Sequence, residues 1–386
     1  MTRPLNVLIV MKEELHNAPR PLRFYSHCKA QNYTINVACC PSKADEVTPL
    51  RPIAEISNPK IGKYQRMVLK LCRASLPIDW IKNKINEVLY DLSALKKLLR
   101  KQHYDFIYVA DLHMLPMIVA LKKKAKVIFD AREYYPLQYG DNLNFRLLEK
   151  QECIRILRQT LSFCDKVLTV SPGLAKAYQE NFGVTPVLVY SLPNYQHEYI
   201  SNTADNTIKI LYHGMANRNR KLENYINVLE HLEINAELHL YLLGDKMYIE
   251  ELEEYARENR KVHFHQPVAF KDIISTVNQY DIGICYYEPT SFNLKHCLPN
   301  KLFEYIQARL VIAIGPSPDM TEIVNKYQCG IISKDFTIDA LALELNLLTR
   351  TKVNVIKENS DMAAKDFCFE REEIKFTNII YDLMKS

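Results

Sequence analysis

The sequence lacks an apolar run long enough to cross a membrane, because no stretch has the roughly 18 uninterrupted apolar residues that a transmembrane helix requires. It also lacks a leader pattern, since the segment from Leu5 to Met11 follows Arg3 and Pro4 with no small-residue cleavage site behind it. That apolar segment predicts a first strand. We therefore expect a cytoplasmic protein.

None of the ten cysteines stands in a Cys-x-x-Cys pair, so the spacing that a structural zinc site needs is absent. We expect reduced, buried thiols and no bound metal. No period of about 20 to 50 residues repeats either, which excludes a solenoid.

Length and composition favour two globular domains. A chain of 386 residues suits two domains of roughly 150 to 200 residues each. Hydrophobic residues make up 48% and charged residues 25%, as is ordinary for a globular protein. Two domains usually enclose a cleft, where we expect the functional site.

Short apolar runs alternate with helical patterns along almost the whole chain, which is typical of parallel sheets with helices on both faces. The fold class is therefore predicted to be α/β, with two Rossmann-like, doubly wound domains. The predicted strands are 5–11, 34–40, 53–56, 106–110, 127–130, 166–170 and 187–190, then 208–213, 237–243, 261–265, 281–286, 311–314 and 330–332.

Domain bounds follow from a polar stretch near the middle of the chain, which is typical of a linker. We predict a first domain over residues 1–195, a linker over 196–206 and a second domain over 207–365. A last helical segment, within 366–386, is expected to pack back towards the first domain.

Positive charge is concentrated between Lys60 and Lys101, where eleven Lys or Arg residues face three acidic ones, in a chain with a net charge of +5. Apolar residues recur there at helical spacing, so the segment predicts basic amphipathic helices. One interpretation is a solvated helix face over a core. The other is a surface for anionic lipid head groups. Nucleic acid is not expected, because no binding motif accompanies the charge.

Ligands of open parallel sheets lie beyond the carboxyl ends of the strands, so the loops there are the candidate sites. The most informative is Pro-Asn-Lys-Leu-Phe-Glu at residues 299–304, where Pro299 precedes a helical run. The first turn of such a helix favours a phosphate. Asn300 and Glu304 share one helix face, so Glu304 is placed to accept ribose hydroxyls. A purely structural amphipathic helix is the alternative.

The run Pro-Asn-Lys-Leu-Phe-Glu-Tyr, continued by Ile-Gln-Ala-Arg-Leu-Val-Ile-Ala to residue 313, resembles the donor-site helix and next strand of glycosyltransferase family 4. The resemblance implies the GT-B fold, a UDP- or GDP-linked sugar donor, retention of configuration and no required metal or other cofactor. It implies that Pro299, Asn300, Lys301 and Leu302 cradle the diphosphate and that Glu304 contacts the ribose. Many members carry a further Glu near the donor sugar where this chain has His296.

The loop after the strand at 208–213 is similar to the same family's first loop of the second domain. There, Gly214 and a basic residue six positions later face the diphosphate, and Arg220 has that spacing. A fixed cation would stabilise the leaving diphosphate. Arg218 or Lys221 remains an alternative if the loop is shifted. The resemblance also places the backbone of Pro267 and Val268 at the nucleotide base.

Three loops of the first domain offer candidate acceptor-binding and catalytic residues. Asp-Ala-Arg-Glu at residues 130–133 follows a strand, and relatives have His in place of its Arg. A carboxylate there would orient the acceptor hydroxyl or steady an oxocarbenium ion. The candidates are Arg20, Arg23, Arg132 and Glu133 for acceptor binding, and Asp111, His113, Glu133, Arg220 and Glu304 for catalysis.

Together these features predict a glycosyltransferase (EC 2.4) that moves a sugar from a nucleotide donor to a glycan or lipid-linked glycan, as in capsule or lipopolysaccharide biosynthesis. The first domain would bind the acceptor and the second the donor, with attachment to the cytoplasmic face of a membrane. The alternatives are a sugar-nucleotide 2-epimerase of the same fold and an inactive domain that binds a nucleotide or a partner enzyme.

Overall fold

Two parallel sheets, each with its own helices, make up the computed structural model, which describes residues 3–41, 52–56, 61–202 and 207–385. The first compact unit comprises Met1–Tyr190, Ser291–Asn293 and Glu373–Ser386, and the second comprises Ser191–Thr290 and Leu294–Glu372. The second unit thus begins at Ser191, before the predicted linker. Residues 203–206 of that linker, and Lys60 of the basic segment, lie outside the described residues.

The first unit contains seven parallel strands in the order β3-β2-β1-β4-β5-β6-β7. The strands are β1 Asn6–Val10, β2 Thr34–Cys39, β3 Ala54–Glu55, β4 Phe106–Val109, β5 Lys126–Ala131, β6 Lys166–Thr169 and β7 Val187–Leu188. The helices are α1 Pro19–Ala30, α2 Lys63–Ser75, α3 Asp79–Leu89, α4 Ser93–Lys101, α5 Leu115–Leu121, α6 Leu143–Leu148, α7 Lys150–Thr160 and α8 Pro172–Phe182.

The second unit contains six parallel strands in the order β10-β9-β8-β11-β12-β13. The strands are β8 Ile208–Ala216, β9 Ala236–Gly244, β10 Val262–His265, β11 Ile282–Cys285, β12 Val311–Ile314 and β13 Gly330–Ile332. The remaining helices are α9 Glu223–Asn227, α10 Lys246–Tyr255, α11 Ile273–Val277, α12 Phe292–Lys295, α13 Asn300–Gln307, α14 Pro318–Tyr327, α15 Ile338–Asn346, α16 Arg350–Asp366 and α17 Phe369–Lys385.

Each predicted strand has an observed counterpart, and the predicted pair of doubly wound sheets is confirmed. The main difference is that β8 continues to Ala216, three positions beyond its predicted end at 213. It does so because its pairing with β9 stays in register as far as Ala216 opposite Gly244. Gly214 therefore lies within a strand and not in a loop.

The direction in which successive strands are added reverses once in each sheet. A ligand is expected at the carboxyl ends of the two strands that flank this reversal. In the first unit the chain runs from β1 outwards to β3 and then returns to place β4 beside β1. In the second unit it runs from β8 to β10 and returns to place β11 beside β8. The loops after β1 and β4, and those after β8 and β11, are therefore the ones to examine.

The basic segment divides into a buried part and an exposed part. Helix α4 packs Leu95, Leu98 and Leu99 into the core of the first unit. Helix α2, in contrast, leaves an apolar stripe in solvent, whose members Tyr64, Met67, Val68 and Leu71 are 81%, 42%, 38% and 51% exposed. Within the described ranges, no helix is both long and apolar enough to cross a membrane.

Helix α17 joins the first unit through its later turns. The ring of Phe376 lies edge-on to Phe24 of α1, with centroids 5.1 Å apart. Nδ1 of His27 lies 2.9 Å from a carboxylate oxygen of Glu373. The last helical segment of the sequence thus completes a core formed by the first residues.

Helix α13 packs on the second sheet through Tyr305, whose ring covers Gly283 of β11. A Cβ atom at Gly283 would lie 2.4 Å from that ring, a distance that no real contact tolerates. The absence of a side chain at this position therefore allows α13 to approach the sheet.

We expect Gly283→Ala to lower the free energy of unfolding of the second unit by about 1–3 kcal/mol, because the methyl group must displace a fully buried ring. Chemical denaturation followed by circular dichroism measures this. Gly140→Ala is the matched control, since its new Cβ would meet its nearest atom at 3.6 Å. Equal losses in the two variants would contradict the packing argument.

Candidate donor and acceptor sites

Two cationic side chains meet at the carboxyl ends of β8 and β11. Lys301, in the first turn of α13, is 7% exposed, and its Nζ donates to the carbonyl of His213 at 2.6 Å. The same ammonium lies 3.8 Å from the ring centroid of Tyr212. Nη1 of Arg220 donates to the hydroxyl of Tyr212 at 2.9 Å. One tyrosine thus contacts both cations.

Both cations also approach the ring of Tyr287, at 5.3 Å for Arg220 and 5.6 Å for Lys301. The hydroxyl of Tyr287 is buried without a hydrogen-bond partner. Burial lowers the pKa of Lys301, and the nearby guanidinium of Arg220 lowers it further. Across the described residues, no carboxylate lies within ion-pair distance of either cation.

Removing two like charges from water without an anion is costly, and a group with its own negative charge would offset that cost. The pair Arg220 and Lys301 is therefore a candidate site for an anion. Gly214, between them in the fold, keeps the space open. Its φ is +126°, and a Cβ there would lie 2.9 Å from Nζ of Lys301.

The structure also distinguishes Arg220 from the two alternatives in the same loop. Arg218 forms two hydrogen bonds of 2.7 Å with the carboxylate of Glu251, and this pair is half-exposed. Nζ of Lys221 lies 2.6 Å from Glu288, also in solvent. Both alternatives are already paired with carboxylates, so Arg220 is the candidate that this loop offers to a diphosphate.

Glu304 lies one turn further along α13 and is only 5% exposed. Its Oε2 is 3.3 Å from Nε2 of His213, which lacks a hydrogen bond of good geometry. Burial and then the charge of Lys301 hold the pKa of His213 down to about 3, so its imidazole is neutral. The carboxylate therefore faces an uncharged ring, next to the two cations.

His213 should make the fold sensitive to acid. Its pKa is lower in the folded chain than the ordinary 6.5, so the unfolded chain binds the proton more tightly and stability falls as pH drops below 6.5. When the pH falls from 7.5 to 4.5, we expect the free energy of unfolding of the wild type to decrease by about 2–3 kcal/mol more than that of His213→Gln. Urea denaturation at the two pH values measures the difference, and parallel losses would refute the assignment.

The other predicted donor residues lie around the same strand ends. Pro299 is the N-cap of α13 with an extended backbone, and no side chain caps the first turn. Asn300 is half-buried at the first helical position, whereas Leu302 is buried in the core. Pro267 and Val268 follow the end of β10.

His296 has a partner that the sequence did not indicate. Its Nδ1 lies 2.6 Å from Oδ2 of Asp319, near the start of α14. The imidazole is therefore oriented by a carboxylate.

A cavity of about 640 Å³ opens at the carboxyl ends of β1, β4 and β5 in the first unit. Four of the predicted residues line it, namely Asp111, His113, Arg132 and Glu133. Residues that the sequence did not single out complete the lining, among them Lys12, Glu13, Lys70, Tyr90, Tyr139 and Glu149. The structure thus brings the candidates of two separate loops into one polar cavity.

Charge pairs hold the cavity wall together. Oδ2 of Asp111 accepts a hydrogen bond of 2.7 Å from the backbone N–H of Lys12. Arg132 lies between two carboxylates, 3.7 Å from Asp111 and 3.5 Å from Glu13. Burial raises the pKa of Asp111, although Arg132 opposes the shift. Arg132 thus pairs with both acidic side chains of the cavity wall.

Glu133 and His113 are the titratable groups best placed for proton transfer in this cavity. Burial raises the pKa of Glu133, whose Oε2 accepts from the amide of Asn293 at 3.2 Å. The ring of His113 stacks on Tyr90 at 4.5 Å, and its buried Nδ1 has no hydrogen-bond partner. Burial lowers the pKa of His113 to about 4, so this base is neutral.

Two predicted acceptor residues do not reach the cavity. Arg20 is 5% exposed and forms a bidentate ion pair with Asp130, at 2.7 Å from both Nε and Nη2, and Tyr108 donates to the same carboxylate. The guanidinium of Arg20 is thus held in a bidentate contact with a buried carboxylate. Arg23 is half-buried on α1 and does not line the cavity.

Comparison with known proteins identifies the first half of the chain. Residues 27–194 match the family model described as Glycosyltransferase Family 4. The match confirms the predicted family and the predicted class of enzyme, a glycosyltransferase. No curated protein sequence matches the chain.

Solved structures extend the likeness over both units of this glycosyltransferase. HepE from Anabaena, in complex with UDP and glucose, aligns over 98% of this chain and 100% of its own, with 13% identity and a TM-score of 0.67. Sucrose-phosphate synthase from Thermosynechococcus elongatus aligns over 99% of each chain, with 12% identity and a TM-score of 0.74.

WaaG, a glycosyltransferase involved in lipopolysaccharide biosynthesis, aligns over 95% of this chain and 99% of its own, with 14% identity and a TM-score of 0.65. At these identities the likeness concerns the fold. The predicted GT-B fold, with two Rossmann-like domains, is confirmed.

Proposed function

We propose that the chain transfers a sugar from a nucleotide-sugar donor to a glycan or lipid-linked glycan during assembly of a cell-surface polysaccharide. The observation that carries this proposal is a pair of cations beside the start of α13, buried Lys301 and half-buried Arg220, neither of which forms an ion pair with a carboxylate of the described residues. The family match and the binding of UDP by HepE, a protein of the same fold, support a nucleoside diphosphate as their ligand.

In this proposal the second unit binds the donor. Arg220, Lys301 and the first amides of α13 near Asn300 contact the diphosphate, because fixed cations and a helix N-terminus both favour phosphate oxygens. Glu304 accepts hydrogen bonds from the ribose hydroxyls. His296, oriented by Asp319, contacts the transferred sugar in place of the usual glutamate.

The first unit binds the acceptor in its 640 Å³ cavity. Hydroxyl groups of a glycan are suited to the alternating charges of Asp111, Arg132 and Glu13. Glu133 and His113 are placed to hydrogen-bond with an acceptor hydroxyl there and to orient it.

The proposed chemistry breaks the bond between the anomeric carbon and the diphosphate oxygen and forms a bond from that carbon to the acceptor oxygen. The leaving phosphate takes the acceptor proton on the same face, which gives retention. Negative charge grows on the diphosphate as the bond breaks, so Arg220 and Lys301 stabilise the transition state more than the bound donor.

We expect Arg220→Ala to weaken nucleoside diphosphate binding by about 1.5–3 kcal/mol, or roughly 10- to 150-fold, because one charge-assisted contact is lost. Thermal-shift titration of UDP-, GDP-, ADP- and CMP-linked sugars first identifies the donor, and calorimetry then compares the variants. Arg218→Ala is the matched control in the same loop. Its affinity for the nucleoside diphosphate should equal that of the wild type.

Equal affinity of Arg220→Ala and the wild type would contradict the assignment. Turnover of a nucleotide sugar without any acceptor would instead support a 2-epimerase. Binding without transfer to any glycan acceptor would support an inactive nucleotide-binding domain.

We also propose that the apolar stripe of α2 attaches the first unit to an anionic membrane surface. Tyr64, Met67, Val68 and Leu71 recur at helical spacing and are exposed, and Trp80 of α3 is 67% exposed. Basic side chains of the same segment flank the stripe, as in helices that lie in the membrane interface. Met67 also lines the acceptor cavity, so a lipid-linked acceptor would enter beside the stripe.

Fewer basic side chains of this segment are available to a lipid surface than the sequence implied. Arg73 is 1% exposed, and its guanidinium contacts Glu149 and Asn86 inside the unit. Nζ of Lys70 lies 2.7 Å from Glu149. The positive charge along α2 therefore comes from exposed Lys63 and half-buried Arg66.

We expect flotation with anionic vesicles to recover the wild type, and Leu71→Ser to reduce that recovery at least about threefold, because an inserted apolar side chain is removed. Leu343→Ser is the matched control, since Leu343 is 67% exposed on α15 of the other unit. Equal recovery with neutral and anionic vesicles, or equal loss in the two variants, would contradict membrane attachment through α2.

A further inference from the structure

Metal-ligating side chains gather on one face of the second sheet, at its β10 edge. Glu237 and His239 alternate along β9 and so share a face. His263 lies opposite His239 in the parallel register of β9 and β10. All three belong to the amino-terminal half of their strands, away from the carboxyl ends where Arg220 and Lys301 lie.

The distances within this cluster approach those of a coordination sphere. One carboxylate oxygen of Glu237 is 3.6 Å from Nε2 of His239 and 3.6 Å from Nε2 of His263. One ligand atom from each residue lies within 4.8 Å of the other two. Tetrahedral zinc, with bonds near 2.0–2.2 Å, separates its ligand atoms by roughly 3.3–3.6 Å. Small side-chain rotations would therefore bring the three ligand atoms to the separations found around a zinc ion.

Both imidazoles present an unsatisfied nitrogen. Nε2 of His239 and Nε2 of His263 are buried atoms without a hydrogen-bond partner. Nδ1 of His239 is 2.9 Å from Nε2 of His265. A hydrogen bond through one ring nitrogen orients the ring and leaves the other nitrogen as a ligand, as is usual for metal-bound histidine.

The chemistry of the three side chains also fits a metal ion. Two imidazole nitrogens and a carboxylate oxygen form the kind of ligand set that divalent transition metals prefer.

We propose that Glu237, His239 and His263 bind a divalent transition metal ion of the zinc class, with solvent completing its coordination. The side chains of His263 and Glu237 are 38% and 36% exposed, which leaves an entry path and an open position. The ion would link edge strand β10 to β9, because the ligands come from both strands. Its role is structural, since the cluster lies at the opposite ends of the strands from the candidate donor site.

This site differs from the expectation of a metal-free protein drawn from the cysteine spacing. Its ligands are a Glu-x-His pair and one histidine of the next strand, which become neighbours only through the pairing of β9 with β10.

The test is titration of the full-length, chelator-treated protein with zinc and with cobalt. We expect one ion per chain, a rise in the melting temperature, and a visible absorption band for the cobalt form. His263→Gln and Glu237→Gln, at half-exposed positions, should weaken binding at least about tenfold while the metal-free melting temperature stays near that of the wild type.

His231→Gln is the matched control, because Nδ1 of His231 also faces a carboxylate, that of Asp339 at 3.1 Å, elsewhere in the same unit. Its metal affinity should be that of the wild type. Unchanged affinity in both cluster variants, or no binding by the wild type at millimolar zinc, would overturn the proposal. None of the measurements, which are metal binding, melting temperature and cobalt absorption, involves turnover. The result is therefore independent of the proposed transferase activity.

Discussion

One residue of strand β8, His213, joins helix α13 to that strand, and the candidate donor site depends on that junction. Its carbonyl accepts from Lys301, its N–H donates to the hydroxyl of Tyr305 at 3.3 Å, and its ring faces Glu304. Three side chains of one helix are thus fixed by a single strand position. The buried ammonium of Lys301 needs such a rigid acceptor, because an unanchored charge in this place would be too costly to retain.

The two units divide the chemistry between them by the same structural principle. Each places polar side chains after the two strands that flank its change of strand order. In the second unit this position holds two cations that form no ion pair within the described residues, and in the first it holds the alternating charges of Asp111, Arg132 and Glu13. Unbalanced positive charge is suited to a diphosphate, whereas balanced charge is suited to the hydroxyl groups of a glycan.

The alternation of apolar runs predicted every strand of both sheets, because buried parallel strands are read directly as short hydrophobic segments. Sequence could not decide among Arg218, Arg220 and Lys221, since the carboxylates that engage two of them, Glu251 and Glu288, are distant along the chain. Nor could the sequence show the ion pair of Arg20, since its partner Asp130 is 110 residues away. Local spacing locates a loop, but burial and long-range pairing decide which of its side chains can meet a ligand.

The central claim is that Arg220 and Lys301 together bind a diphosphate. Calorimetric titration of the wild type with a nucleoside diphosphate and with the matching monophosphate, for the base preferred in the thermal-shift panel, tests it most directly. The diphosphate should bind at least about tenfold more tightly, an advantage of roughly 1.4 kcal/mol, because its second phosphate reaches the cation pair. Equal affinities for the two nucleotides would contradict the account.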